Sequence, residues 1–344
     1  MVIKRKEYTW YNFNRLYSYN ATINMVVGGR GIGKSYGKKK RAVNNWIKKK
    51  EQFILVRRFN EELKAAKRTF FADFEKEFPD WDMRAQGVEA QIAPISTRDQ
   101  KGREWETMGF FVALSTTQSQ KSQSFPNVTT IFFDEFILEP GYQRYIPNEV
   151  TALLSFYETV DRGQERTKLY LLANAVSIMN PYFLHWGIRP DEVKGEWLVL
   201  AGGFVVVHFP NDEDFKRERA DTKFGKFIEG TDYGNYATNN EFADNHDAMV
   251  GPKDSKARYR FSLETTNGTF HVWKNMFDGE YYIKANAPKA PVMYTLLASK
   301  MTHDKTLVSL TSVPIARMRH AFNNGRMTFD DKPTRNTFSE IFKR

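Results

Sequence analysis

Eight consecutive residues, Gly28-Gly29-Arg30-Gly31-Ile32-Gly33-Lys34-Ser35, fit the pattern G-x-x-x-x-G-K-[ST] in full. Glycines in such a loop let successive backbone N–H groups turn inward as a nest for phosphate oxygens. The helix that follows adds partial positive charge at its N-terminus. Lys34 would then reach the β- and γ-phosphates of ATP, and the Ser35 hydroxyl would ligate Mg²⁺. The metal also wants a carboxylate at the end of another buried strand, and hydrolysis wants a second carboxylate to polarise water. The run "VTTIFFDEFILEP" ends in both. Asp134 is placed to hold Mg²⁺ directly or through water, and Glu135 to act as general base. Two adjacent carboxylates favour the hydrolases of the motor ATPase class over small-molecule kinases.

These groups need a strand–loop–helix frame, and the flanking sequence provides one. Ile23–Val27 reads as a buried strand and the chain from Ser35 onward as a helix. Further strands are expected at Phe53–Arg57, Phe110–Ser115, Thr129–Asp134, Leu169–Ala173 and Trp197–His208. Helical stretches lie between them, giving the βαβ rhythm of a parallel sheet with helices on both faces. The expected fold class is therefore α/β, a P-loop NTPase sheet. Trp81–Pro94 breaks the rhythm and reads as an inserted hairpin turning at Gly87.

Strand ends are where such sheets place ligands. Arg57-Arg58 close the second strand and either reach phosphate or anchor the next helix. Asn174, after "LYLLA", is placed to sense the γ-phosphate. Lys121 sits in the polar loop "STTQSQKSQSFPN". Asn148 is expected to cap a helix whose buried face is Val150, Leu153, Leu154 and Tyr157. That helix should end near Gly163, with Arg162 and Arg166 emerging as candidate arginine fingers across a subunit interface. Asp161, beside Arg162, is expected to pair with it in an isolated subunit.

The chain of 344 residues is long enough for two domains, and its 28 Phe argue against disorder. It has no cysteine, which excludes disulfides and thiolate metal sites. A net charge of +10 points to a polyanion such as nucleic acid. The charged, aromatic N-terminus lacks the apolar core of a signal peptide, and no stretch approaches the ~20 apolar residues of a membrane span. A soluble protein without a membrane partner is expected.

After His208 the pattern changes. Residues 1–208 read as the ATPase domain, 209–247 as a linker with helix around Asp214–Gly230, and 248–344 as a second domain. Within it, Ala257–Ala285 alternates like antiparallel strands, with turns at Asn267-Gly268 and Asp278-Gly279. Helices are expected around Tyr294–Leu297 and Val313–Asn323. Strands followed by helices suit a smaller α+β domain of the RNase H-like fold. Arg258, Tyr259, Arg260, Phe261 and Ser262 stand where a nuclease would need carboxylates for two metals. The domain is therefore read as a vestigial nuclease without cutting activity. Arg258, Arg260, Lys274, Arg317, Arg319 and Arg326 offer a nucleic-acid or connector surface instead.

The blocks "GGRGIGKSY", "EQFILVRR", "SFPNVTTIFFDEFI", "YIPNEVTALL", "NAVSIMNPYFL" and "KFGKFIEGTDYG" resemble the DNA-packaging ATPases of φ29-like phages, additional-strand ATPases related to FtsK, HerA and the large terminases. The resemblance runs through the first two-thirds of the chain. It implies that Lys34 and Ser35 match the Walker A pair, and Asp134 and Glu135 the Walker B pair. Arg162 matches the trans-acting arginine finger, Lys121 a trans-acting lysine, and Asn174 the polar residue ending the next strand. It implies a homo-oligomer, a pentameric ring docked on the portal (connector) protein of a prohead. That ring drives double-stranded DNA inward with ATP, with a packaging RNA as scaffold in the type member. Its place would be the host cytoplasm, transiently at the portal vertex and not in the mature virion. The rival readings are a helicase or DNA-transfer ATPase, a nucleotide-gated scaffold for the portal, and a terminase with an active nuclease.

Overall fold

Every residue of the first strand, β1 (Ile23–Gly28), is buried, as an apolar run bounded by turn residues requires when both faces of a sheet are covered. A computed structural model describes residues 10–343, apart from 73, 121–122, 140–143, 177, 179, 191–192, 212, 232–248, 289 and 291. Contacts divide the chain into two units. The first holds Met1–Leu138, Tyr145–Ala175 and Val193–Glu241; the second holds Glu139–Arg144, Val176–Glu192 and Phe242–Arg344. Residues 176–192, assigned from sequence to the first domain, thus group with the second, and most of the expected linker groups with the first.

The first unit is built on nine strands: β1, β2 (Gln52–Arg57), β3 (Trp81–Gln86), β4 (Glu89–Pro94), β5 (Glu106–Ala113), β6 (Val128–Asp134), β7 (Lys168–Asn174), β8 (Trp197–Leu200) and β9 (Val205–His208). Their order is β3-β4-β5-β2-β6-β7-β1-β9-β8. From β5 to β9 every neighbouring pair is parallel. β7 lies between the strand entering the glycine loop and the strand ending in Asp134, which is the additional strand of this ATPase class. The expected hairpin is present as the antiparallel pair β3–β4. Trp197–His208, expected as one strand, is instead two antiparallel strands. The chain reverses through Ala201–Gly203, where Gly202 and Gly203 take φ of 62° and 96°, a conformation that suits glycine and breaks a strand.

Helices flank the sheet: α1 (Asn14–Ser18), α2 (Lys34–Lys49), α3 (Asn60–Thr69) and α4 (Glu149–Asp161). Two further helices, Glu213–Ala220 and Lys223–Ile228, fall where a helical linker was expected. α2 buries Ala42, Val43 and Trp46. Lys38 is buried too, its Nζ 2.9 Å from the centre of the Tyr170 ring. Phe53, Phe70, Phe74, Phe111 and Phe132 form the aromatic heart of the core.

The buried face of α4 is Val150, Leu153, Phe156 and Val160. Phe156 replaces the expected Tyr157, whose hydroxyl donates to Thr167 O at 3.1 Å. Asn148 does precede the helix but its side chain makes no cap, because its backbone is left-handed at φ 53°. Glu149 organises this end instead. Its carboxylate, 2% exposed, takes two hydrogen bonds of 2.7 Å from the fully buried guanidinium of Arg58 and one of 3.0 Å from Ile146 N–H. Arg58 also donates to Phe136 O at 2.8 Å, so the pair joins the ends of β2 and β6 to α4. Removing one partner of a buried pair strands the other charge. Glu149→Ala is therefore expected to cost about 3–5 kcal/mol of stability, read as a lower urea midpoint. A midpoint equal to wild type would contradict this.

The second unit carries β10 (Arg258–Thr265), β11 (Gly268–Lys274), β12 (Tyr281–Lys284), β13 (Met293–Thr295), β14 (Lys305–Leu307) and β15 (Met327–Phe329) in the order β14-β13-β10-β11-β12-β15. β10, β11 and β12 are successively antiparallel, and β13 returns parallel to β10, with β14 parallel beside it. This is the RNase H-like order. The helix expected around Tyr294–Leu297 is therefore strand β13, its Tyr294 in register with Leu263. The helix at Val313–Asn323 is present as expected. α5 (Pro181–Trp186) also belongs to this unit and is capped by the Asn180 side chain. Glu264 is occupied by Lys305 Nζ at 3.1 Å. Among the described residues no cluster of three His, Cys, Asp or Glu side chains could hold a metal ion. Of the basic residues, Arg258, Arg260, Arg317 and Arg326 are exposed. Lys274 and Arg319 are partly buried, against the rings of Tyr281 and Phe342. Among the described residues no helix is long and apolar enough to cross a membrane.

Candidate functional site

Parallel strands that end side by side bring their last residues together. β1 and β7 pair so that Gly28 lies opposite Asn174, and β6 and β7 so that Asp134 lies opposite Leu172. The glycine loop, Asn174 and the Asp134-Glu135 pair are thereby gathered at the carboxyl edge of one sheet, the place where open α/β sheets bind ligands. α2 begins there with Lys34, after Gly33 in the left-handed conformation. Gly28 is constrained by space: a Cβ there would stand 2.5 Å from Pro210 Cγ.

Lys34 folds back over the loop. Its Nζ donates to Gly28 O at 3.0 Å, Gly29 O at 2.6 Å and Asn174 Oδ1 at 3.3 Å. Burial pushes the ammonium down to about 7, a fall that the nearby Asp134 carboxylate opposes. The Ser35 hydroxyl donates to Asp134 Oδ1 at 2.6 Å. A hydroxyl and a carboxylate converging in this way are the hard-oxygen donors that Mg²⁺ prefers. Arg30, Gly31 and Ile32 complete the loop, and Ile32 is buried beneath it.

Glu135 follows β6 with φ 61°, a left-handed backbone that costs a non-glycine residue about 1–2 kcal/mol. Its main-chain N–H donates to Leu172 O at 2.8 Å, which fixes the turn. Its side chain, 59% exposed, is met by Arg57 Nη2 at 2.7 Å. Arg57 also donates to Asp134 O at 3.1 Å and lies 3.9 Å from Glu62 of α3. The two adjacent arginines divide their work: Arg57 holds the acidic pair, and Arg58 builds the buried bridge to α4.

Arg162 ends α4 in a left-handed conformation with φ 51° and is exposed. Its guanidinium donates to Gln123 O at 3.3 Å. The expected pairing with Asp161 does not form. The Asp161 carboxylate is buried and accepts main-chain hydrogen bonds of 2.8 Å from Glu165 and Thr167, which shapes the turn after the helix. Arg166 is committed to the carbonyls of Phe125, Val128 and Val160, at 2.9, 3.3 and 3.0 Å. These contacts make Arg166 a brace between the turn after α4 and the start of β6. Lys121 lies outside the described residues.

Asp161 gives a pH-dependent test of the turn. Burial raises its pKa, but the hydrogen bonds from Thr167 and Glu165 outweigh that and hold it below the usual carboxylate range. A depressed folded value stabilises the protein above the unfolded pKa of about 3.9, and that stability is lost as pH falls through the folded value. Asp161→Asn is expected to cost about 1–2 kcal/mol at neutral pH. The gap should close as pH is lowered from about 4. Thermal melts of both proteins across this range check it, and a gap that persists unchanged in acid would contradict it.

The additional-strand sheet, the glycine loop with its buried lysine, and the Ser35–Asp134 contact define a P-loop NTPase of the α/β class. Within that class, the chain belongs to the podovirus DNA encapsidation protein (Gp16) family, whose sequence profile matches residues 6–344. The DNA packaging protein of Bacillus phage phi29 is 36% identical over 338 residues, covering 97% of each chain. A chain of the bacteriophage Phi-29 viral genome packaging motor assembly superposes with a TM-score of 0.61 at 35% identity, over 97% of this chain and 99% of that one. The N-terminal domain of the phi29 DNA packaging ATPase superposes with a TM-score of 0.52 at 42% identity, over 60% of this chain and 98% of that one.

Sequence reasoning missed the Arg58–Glu149 bridge, because 91 residues separate the partners.

Proposed function

We propose that this chain is the ATP-hydrolysing subunit of a motor that drives double-stranded viral DNA into a preformed prohead. The observation that carries the reading is the convergence of Lys34, Ser35, Asp134, Glu135 and Asn174 at one sheet edge, in a family named for DNA encapsidation. The loop from Gly28 to Gly33 cradles the phosphates, and Lys34 swings from the loop carbonyls to the β- and γ-oxygens. Ser35 and Asp134 would hold Mg²⁺, which would neutralise charge on the phosphate oxygens. Glu135 accepts a proton from the attacking water. Arg57 positions Glu135, and its 2.7 Å contact keeps that carboxylate in place between turnovers. Asn174, bonded to Lys34, reports loss of the terminal phosphate to β7. Arg162 completes the site of a neighbouring subunit in a homo-oligomeric, pentameric ring, with Lys121 acting across the same interface.

The ring docks on the portal (connector) protein of the prohead in the host cytoplasm. DNA is gripped through its phosphates, because packaging does not depend on sequence. The second unit serves as a binding domain without nuclease activity. The test is steady-state ATP hydrolysis with duplex and single-stranded DNA added separately and Glu135→Gln as the blank. Stimulation by duplex that vanishes in the blank supports the motor. Stimulation by single strands alone would overturn it in favour of a helicase.

A further inference from the structure

The sheet of the second unit ends differently on its two sides. β10 and β11 turn at Asn267-Gly268, and β11 and β12 turn through residues 275–280. The strands are antiparallel, so these turns lie at opposite ends of the sheet, about 25 Å apart along the 8 residues of β10. The second turn has a fixed shape. Asn275, 2% exposed, donates its side-chain amide to Asp254 Oδ2 at 2.8 Å and Asp278 Oδ2 at 2.7 Å. Its Oδ1 accepts from Phe277 N–H at 2.9 Å, and its main-chain carbonyl from Gly279 N–H at 3.0 Å. The tip of this turn carries Met276 and Phe277, 60% and 89% exposed. Polar residues and glycine are the ordinary choice there. Two apolar side chains held outward by a buried asparagine contribute little to the core of their own unit.

The other end of the sheet carries a cavity of about 330 Å³, walled by Leu296, Leu297, Val308, Leu310 and Ile341. β13 runs parallel to β10 and β14 parallel to β13. Leu296, Leu297 and Val308 follow the last residues of those strands, so they emerge beside the Asn267-Gly268 turn. At the cavity edge Arg189 meets Glu340 at 3.5 Å, and exposed Lys300 follows Leu297 by three residues.

We propose that the Met276-Phe277 tip of one copy seats in the aliphatic cavity of the next copy, joining second units head to tail. This rests on the reading of the chain as a ring subunit. Tip and cavity stand at opposite ends of one sheet, so neither can cover the other within a chain. Matched between copies they form a heterologous contact, the kind that repeats around a ring. The turn from Asn275 to Glu280 holds two acids and no cation, which disfavours a phosphate backbone as its partner. Arg189 and Lys300 near the cavity offer cations to Asp278 and Glu280. Burial of the Phe277 ring supplies the apolar gain, and Asn275 fixes the turn before contact, which lowers the entropy lost on docking.

The experiment is cross-linking of the full chain assembled on proheads, with a short bismaleimide. The chain has no native cysteine, so only introduced thiols react. A Phe277→Cys, Leu297→Cys double variant should give a ladder of linked chains. A mixture of the two single variants should give dimers, and each single variant alone none. Dimers from Phe277→Cys alone would overturn the head-to-tail contact. So would the absence of linkage in the double variant while hydrolysis recovers on mixing Arg162→Ala with Glu135→Gln subunits, a result that leaves the ring standing. Absence of both would overturn ring and contact together. Separately, Phe277→Ala should raise the protein concentration needed for half-assembly by roughly 10- to 150-fold, the scale of burying one such side chain. Phe277→Leu should stay nearer to wild type. Assembly unchanged in Phe277→Ala would overturn the contact. Weaker docking on proheads with subunit linkage intact would overturn it too, in favour of a prohead protein as the partner of the tip.

Discussion

Replacing Arg162 by alanine is expected to lower ATP hydrolysis in the assembled ring by about 10³-fold or more, the scale of an arginine finger. Nucleotide affinity of the isolated subunit should be unchanged. The expectation rests on what each arginine of the turn is already doing. Arg166 spends its donors on three carbonyls of its own subunit, at 2.9 to 3.3 Å. Arg162 makes one long bond of 3.3 Å to a carbonyl from an exposed helix end. Its φ of 51° is the kind of backbone strain that persists where a side chain must be aimed. The Asp161 carboxylate, fastened to two main-chain N–H groups, fixes the turn without holding the guanidinium. A mixing experiment separates action across an interface from action within a subunit. Arg162→Ala and Glu135→Gln subunits, each inactive alone, should recover hydrolysis when assembled together, because some interfaces then join an intact Glu135 to an intact Arg162. No recovery would contradict the assignment.

The second large effect is expected at Glu135. Glu135→Gln preserves shape and hydrogen bonding to Arg57 but cannot accept a proton, so kcat should fall by about 10²–10⁴-fold with KM little changed. Asp134 cannot substitute, since its Oδ1 is engaged by the Ser35 hydroxyl at 2.6 Å. Single-turnover hydrolysis at saturating ATP checks this. A kcat within tenfold of wild type would mean that water is activated elsewhere.

Much of the first unit was legible because its signals are local. The glycine loop, the β-branched and aromatic runs at β1, β6 and β7, and the turn at Gly87 each carry their conformation within a few residues. The strand order was not legible, since pairing is a long-range property. Errors fell where tertiary contacts override local pattern. Trp197–His208 looked like one strand until Gly202-Gly203 reversed it. Tyr294–Leu297 looked helical until parallel pairing with β10 drew Tyr294 into the sheet. Asp161 was adjacent in sequence to a cation, yet two N–H donors from the following turn outcompeted it. The division of labour between Arg57 and Arg58 needed the structure, because Glu135 and Glu149 lie 78 and 91 residues away.

The proposed motor requires that the site at the sheet edge power movement of duplex DNA. The most direct test assembles this protein on proheads and measures DNA protected from nuclease as a function of time, in wild type and in Lys34→Ala. Protection that requires ATP, grows with time for duplex, and is absent in Lys34→Ala is the predicted result. Protection of duplex at the wild-type rate in Lys34→Ala would contradict it.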